Sequence, residues 1–176
     1  MDDTDAQGPT PAPMPAWARW GVPGAPFAID YPRGWSLRTL PEQLGVIVSQ
    51  VPPTPAHADG RFMNSLSALV EPARKFPEGD LEGFVAGQLA GFELILTDFR
   101  VIDLSETVLD KTAGMRLLST ARVGVHAITM DTWLAVEAGR GFCLSAASDA
   151  LERRAMVSVW EQVAGRVLLR ADRSAA

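Results

Sequence analysis

The side chains best suited to acid–base or nucleophilic chemistry are few and scattered in this 176-residue chain. Its histidines, His57 and His126, lie in different segments, and neither belongs to a zinc-binding pattern. The one cysteine, Cys143, would be a nucleophile only with a lowered thiol pKa and a base such as His126 beside it. Because Cys143 sits in an apolar run, a buried and unreactive thiol is the better prediction. The sequence contains no Gly-x-Ser-x-Gly elbow, no P-loop and no Gly-x-Gly-x-x-Gly, so we expect a non-catalytic protein without metal or cofactor.

One carboxylate lies within an otherwise apolar strand pattern. Asp131 alternates with Thr129 and Trp133, which places all three on the same face of a predicted strand. Arg116 and Arg122 occur on the preceding predicted strand and could reach this carboxylate. The pattern favours a structural ion pair over a catalytic carboxylate.

The most unusual feature is a helix whose outer face consists of small residues. Asp80 is a suitable N-cap for a helix over residues 81–96. At 100° per residue, one face carries the side chains expected to contact a sheet: Leu81, Phe84, Val85, Gln88, Leu89 and Phe92. The opposite side carries what we call the small-residue strip: Gly83, Ala86, Gly87, Ala90 and Gly91.

A small-residue strip is unusual on a solvent-exposed face. Each interior glycine costs about 0.8–1 kcal/mol relative to alanine, so the three together cost roughly 3 kcal/mol. Small residues allow another backbone to approach closely. Four interpretations remain open: an incidental result of Ala/Gly-rich composition, cover by the chain's own Trp17 and Trp20, a homodimer interface, or a docking site for an apolar helix of a partner. The candidate partner-binding residues are the strip together with Trp17 and Trp20.

Composition changes along the chain divide it into three parts. Residues 1–26 contain six of the thirteen prolines and several acidic residues, which predicts a flexible tail. One domain is predicted over residues 27–170, followed by a frayed end at 171–176. Ser148 and Asp149 are expected to cap a C-terminal helix, with Glu152 at capping-box spacing. Strands are predicted over 27–31, 44–51, 61–71, 97–104, 114–123, 127–138 and 142–147.

These elements indicate an α+β fold with a mostly antiparallel sheet, because short connections join successive strands. The opening strand and turn, Phe27-Ala28-Ile29-Asp30-Tyr31-Pro32-Arg33-Gly34-Trp35, resemble the Mog1/PsbP-like superfamily. The resemblance implies an α/β/α sandwich with a sheet of six to seven strands flanked by helices. It also implies a binding module rather than an enzyme. Members include photosystem subunits, a nuclear-transport regulator, mycobacterial envelope lipoproteins and chaperones of type VI secretion effectors.

Charge and hydropathy narrow the class of partner. A net charge of −5 argues against nucleic acid, and no apolar run reaches the roughly 20 residues that cross a bilayer. Arginine makes up most of the basic residues, which is typical of GC-rich bacterial genomes. The acidic start lacks the apolar segment of a leader, so a cytoplasmic location is expected. We expect a protein-binding module, in its specific form an adaptor or chaperone for a secreted or membrane-active partner. The alternative is a small-molecule or lipid-binding module with a pocket between sheet and helix.

Overall fold

A long β-meander dominates the computed structural model, which describes residues 15–170 except 22, 41–44, 52–59, 61 and 72–79. Two helices are present in the described part: α1 (Leu81–Ile95) and α2 (Arg153–Gly165). The strands are β1 (Trp17–Trp20), β2 (Phe27–Pro32), β3 (Ser36–Thr39), β4 (Gly45–Ser49), β5 (Ser65–Glu71), β6 (Thr97–Leu109), β7 (Thr112–Val123), β8 (His126–Glu137), β9 (Arg140–Asp149) and β10 (Leu168–Leu169).

All strand pairs within the described residues are antiparallel. Seven strands form the main sheet in the order β3-β4-β5-β9-β8-β7-β6, and β1-β2-β10 form a small second sheet. The predicted α+β class with an antiparallel sheet of six to seven strands is confirmed.

Side-chain alternation in the central strands separates two apolar layers. On β8, Trp133 and Ala135 point into the larger core, which α2 closes with Trp160 and Val163. Leu134, between them, points to the other face and contacts the layer beneath α1. Successive strand residues face opposite sides of a sheet, so this apolar run buries both faces of β8.

Two-residue turns join the longest strands. Asp110 and Lys111 connect β6 to β7 with φ of 42° and 73°, and Ala138 and Gly139 connect β8 to β9 with φ of 48° and 69°. Positive φ at both central positions is the geometry of type I′ turns, whose twist matches that of the strands they join. These turns hold β6 in register with β7, and β8 in register with β9.

Strand β1 lies within residues 1–26, the range expected to be a flexible tail. Trp17–Trp20 pairs with β2, and the Trp20 ring lies 5.0 Å from that of Phe27. Burial of Trp20 supplies the free energy that holds this short strand. The division into tail and single domain otherwise stays a prediction. Residues 1–14 and 171–176 lie outside the described part of the chain.

The predicted capping box of the C-terminal helix is wrong. Helix α2 begins at Arg153, and its N-cap, Glu152, makes no side-chain cap hydrogen bond. Asp149 instead ends β9 and accepts a hydrogen bond from the Leu151 backbone nitrogen. Ser148 is buried and accepts a hydrogen bond from the Trp160 indole at 2.8 Å. The strand therefore continues through the residues expected to cap the helix.

Candidate functional site

Helix α1 is anchored to the main sheet at its N-terminal half. The Asp80 carboxylate accepts a hydrogen bond from the Gly83 nitrogen at 3.0 Å, which confirms the predicted N-cap. Phe84 and Val85 are buried against β8 and β9. Gln88 donates a hydrogen bond to Glu71 at the end of β5. The predicted sheet-facing side of the helix is the side that contacts the sheet.

The lateral position of α1 leaves a groove between the helix and strands β6 and β7. This α1–β6 groove has a volume of about 410 Å³ and is lined by Leu81, Glu82, Val85, Ala86, Leu89, Leu104 and Met115. A neighbouring depression of about 450 Å³ is lined by Leu81, Glu106, Thr107, Val108, Ala113, Gly114 and Met115. The two hollows meet at Leu81 and Met115. Together they form a long apolar surface with one glutamate in each lining.

Strand β6 forms one edge of the main sheet beside this groove. It is 13 residues long and exposes several apolar side chains: Val101, Ile102, Leu104 and Val108. Natural edge strands are usually short, charged or covered, because unpaired backbone groups invite another strand. A long edge with apolar side chains is therefore a candidate interaction surface.

The small-residue strip lies on the exposed side of α1. A Cβ atom added at Gly87 or Gly91 would meet nothing within 4 Å. Ala86 belongs to the strip and also lines the groove. At Gly83 an added Cβ would lie 2.6 Å from the Asp80 carboxylate, so this glycine serves the helix cap. Ala90 is exposed as well.

The structure does not bring Trp17 and Trp20 to the strip. Trp20 is buried in the core on the α2 side of the main sheet. Trp17 packs against the same core, and its ring lies under the Arg166 guanidinium, 4.7 Å away. Both indoles are therefore on the face of the sheet opposite α1. None of the described residues covers the strip in the way proposed for these tryptophans.

Sequence reasoning missed the β6 side of the groove. The strand was expected to end at Leu104, but it continues to Leu109 and contributes Glu106 and Val108. The signal was available, because Leu104, Glu106 and Val108 alternate with Ser105 and Thr107 in strand fashion. The Asp110-Lys111 turn lacks glycine, which hid the end of the strand.

The possible Cys143–His126 pair is not assembled. Cys143 is opposite Leu134 on β8, whereas His126 is at the start of β8 beside Phe62. Eight residues of strand separate Leu134 from His126, which is about 26 Å of strand. Burial is the main cause that raises the pKa of Cys143 to about 11. The thiol is therefore protonated at neutral pH, and no histidine of the described residues lies beside it.

Asp131 forms the predicted ion pair, and with more partners than expected. Its buried carboxylate accepts hydrogen bonds from Arg116 at 2.8 Å and from Arg153 of α2 at 3.2 Å. Arg122 pairs instead with Asp98. Burial lowers the pKa of Arg116, but the hydrogen bond and charge of Asp131, with Glu161, outweigh it and the net pKa is raised. The network ties α2 to the sheet.

Two properties of the described residues concern metal ions and membranes. They hold no group of three or more His, Cys, Asp or Glu side chains placed to bind a metal ion. No helix in the described ranges has the length and hydropathy to cross a membrane. His57 lies outside these ranges.

Comparison with solved structures places the chain among known folds. Cyanobacterial PsbP from Synechocystis sp. PCC 6803 matches with a TM-score of 0.62 at 12% identity, covering 94% of this chain and 99% of that one. The Ran-binding protein Mog1p of Saccharomyces cerevisiae matches with a TM-score of 0.61 at 10% identity, covering 89% and 96%. LpqN of Mycobacterium tuberculosis, which is involved in cell envelope biogenesis, matches with a TM-score of 0.54 at 16% identity, covering 88% and 92%.

These similarities establish the architecture. The chain has a Mog1/PsbP-like fold, as the resemblance of its opening strand implied. No protein-family model matches the sequence, and no curated protein matches it.

Proposed function

We propose that this protein is a non-catalytic protein-binding module whose partner docks on the α1–β6 groove and the adjoining small-residue strip. The observation that carries the proposal is the apolar groove between α1 and the exposed edge of the main sheet. Large apolar surfaces on soluble domains mark interaction sites. The same fold in the Ran-binding protein Mog1p supports a protein as the partner.

The shape of the surface favours an apolar segment of that partner. Gly87 and Gly91 have open space where a Cβ would project, so a partner's backbone can come close to α1. Leu81, Leu89 and Leu104 supply apolar contacts beside them. In its specific form the proposal is a cytoplasmic adaptor or chaperone that shields an apolar segment, such as a helix, of a secreted or membrane-active protein.

The test is a capture experiment with two matched arginine variants. Gly87→Arg places a long charged side chain on the strip, and Gly165→Arg places the same side chain on α2, across the sheet. Neither added Cβ meets another atom within 4 Å, so both variants should fold. The tagged protein is used to isolate partners from its native host, and mass spectrometry identifies them.

We expect one dominant partner with the wild type and with Gly165→Arg, and its loss with Gly87→Arg. Circular dichroism and a melting curve check that both variants are folded. Undiminished capture by folded Gly87→Arg would overturn the proposed surface.

A small apolar ligand is the second candidate occupant of the groove. Its volume of about 410 Å³ falls within the roughly 300–1,000 Å³ of ligand pockets. Native mass spectrometry of the purified protein tests this function. A bound mass that Ala86→Trp removes would favour the ligand, because Ala86 lines the groove. The unliganded mass alone, together with a captured protein, would favour the protein partner.

A further inference from the structure

The outer edge of β6, which no described strand pairs with, has two parts that differ in regularity. Its pairing with β7 shifts register between Thr97 and Arg100 and again between Val101 and Asp103. From Asp103 to Leu109 the pairing is continuous. Bulges twist an edge and hinder a further strand, so the first half of β6 is protected. The second half is a regular seven-residue edge, and no described strand pairs with its outer side.

The turn after β6 determines which backbone groups point outward. Leu109 and Thr112 flank the two-residue turn, so they form a hydrogen-bonded pair. Hydrogen-bonded and non-hydrogen-bonded pairs alternate along antiparallel strands. Leu104, Glu106 and Val108 therefore direct their N–H and C=O groups away from β7 and toward the open edge.

The side chains of these same residues face the groove. Leu104 lies opposite Leu117, and Glu106 lies opposite Met115, a residue of the layer beneath α1. Leu104 lines the α1–β6 groove, and Glu106 and Val108 line the adjoining depression. A strand added at this edge would form a second wall of both hollows. Every second side chain of that strand would face the groove.

We propose that the Asp103–Leu109 edge of β6 binds an extended segment of the partner as an eighth, antiparallel strand. The segment carries apolar side chains opposite Leu104 and Val108 and a basic side chain opposite Glu106. Main-chain hydrogen bonds supply affinity in strand addition, and alternate side chains supply specificity. The proposal rests on the protein-binding function and specifies the conformation and chemistry of the bound segment.

The negative charge of the groove favours a basic partner strand over a second copy of this chain. The linings of the two hollows contain Glu82 and Glu106 and no arginine or lysine. Two copies paired antiparallel about the centre of the regular edge would place Glu106 opposite Glu106. Like charges directly opposite destabilise a strand pair, whereas a lysine or arginine opposite glutamate stabilises it.

The experiment uses two substitutions at one residue. Glu106→Pro removes the outward N–H, and proline is tolerated where an edge strand turns its N–H to solvent. Glu106→Gln keeps the N–H and removes the charge. The probe is the capped peptide Ser-Val-Thr-Lys-Thr-Val-Ser, and its control replaces the central lysine with glutamate. Binding is followed by ¹H–¹⁵N NMR titration of the full chain, which also reports whether each variant is folded.

Strand addition predicts amide shifts at Leu104, Glu106 and Val108 with the lysine peptide, and binding at least about tenfold weaker in Glu106→Pro. The wild type should bind the lysine peptide about threefold to fivefold more tightly than the glutamate peptide, because a cross-strand charge pair stabilises by a corresponding amount. Glu106→Gln should bind both peptides equally.

Three outcomes of the peptide titration would overturn the inference. They are no binding of either peptide, shifts confined to α1, and undiminished binding by folded Glu106→Pro. A concentration-dependent dimer that Glu106→Pro dissociates would assign the edge to a second copy instead. If Gly87→Arg blocks partner capture while Glu106→Pro captures normally, the protein-binding function stands and strand addition is wrong.

Discussion

A methyl group at Gly141 of β9 should destabilise the protein because the ring of Phe84 in α1 occupies the position of the added Cβ. An added Cβ would lie 2.7 Å from Cδ2 and 2.8 Å from Cζ of the Phe84 ring. Phe84 is fully buried, so the ring can shift only by displacing other core atoms. Gly141 has no positive φ, so alanine suits its backbone. The contact with the Phe84 ring therefore determines whether Gly141→Ala raises or lowers the free energy of unfolding.

The magnitude follows from two opposing contributions. Replacing glycine with alanine at a compatible backbone position stabilises by about 0.4–1 kcal/mol through the unfolded chain. Overpacking a fixed core costs about 1–3 kcal/mol. We expect Gly141→Ala to lower the free energy of unfolding by about 1–2 kcal/mol. Phe84→Ala alone should lower the free energy of unfolding by about 3–5 kcal/mol. In that variant the ring is absent, so Gly141→Ala should raise the free energy of unfolding.

Guanidinium denaturation of the four proteins in this double-mutant cycle measures the coupling between the two residues. We expect a coupling of at least about 1.5 kcal/mol. Phe84→Leu replaces Phe84→Ala if the alanine variant does not fold. Gly87→Ala is the control, because its open site predicts stabilisation by about 0.8–1 kcal/mol in either background. Additive effects, or a stabilising Gly141→Ala in the wild type, would refute the packing of α1 on β9.

Two further predictions concern buried groups. Asp131→Ala should lower the free energy of unfolding by about 3 kcal/mol, since Arg116 and Arg153 lose a buried partner; a loss below about 1 kcal/mol would contradict a structural ion pair. Cys143 should resist iodoacetamide at pH 8 until the protein unfolds. Because burial raises the pKa of this thiol from 9.0 to about 11, stability should fall by roughly 2–3 kcal/mol between those pH values. Cys143→Ala should lack that fall, and an equal decline in both proteins would assign it to other groups.

The sequence by itself determined the elements whose periodicity is strong. Phe84, Val85 and Leu89 recur at helical spacing, so the buried face of α1 followed from the chain alone. Alternation around Asp131 predicted its face and an ion pair with Arg116 or Arg122, and the structure shows that the partner is Arg116. The resemblance of the Phe27–Trp35 segment to the Mog1/PsbP-like superfamily implied the fold. Each of these inferences depends on residues close in sequence or on adjacent strands.

Predictions from local sequence patterns were wrong or incomplete where contacts with distant parts of the chain determine the structure. Ser148 and Asp149 are good cap residues, but the pairing of β9 with β8 holds them in a strand. The sequence shows Trp17 and Trp20 as apolar residues in a proline-rich segment. It does not predict where they pack, because Trp20 is buried by contacts with β2 and the large core.

The groove itself was decided only by the tertiary structure. The helical pattern shows which side of α1 meets the sheet and does not show where across seven strands the helix lies. Phe84 and Val85 anchor α1 over β8 and β9, while β6 extends past the helix at the edge of the sheet that the described strands form. Leu104, Glu106 and Val108 become a binding surface through that offset. The periodicity of apolar residues identifies which face of a helix is buried. The lateral position of that helix on the sheet depends on packing between residues far apart in the chain.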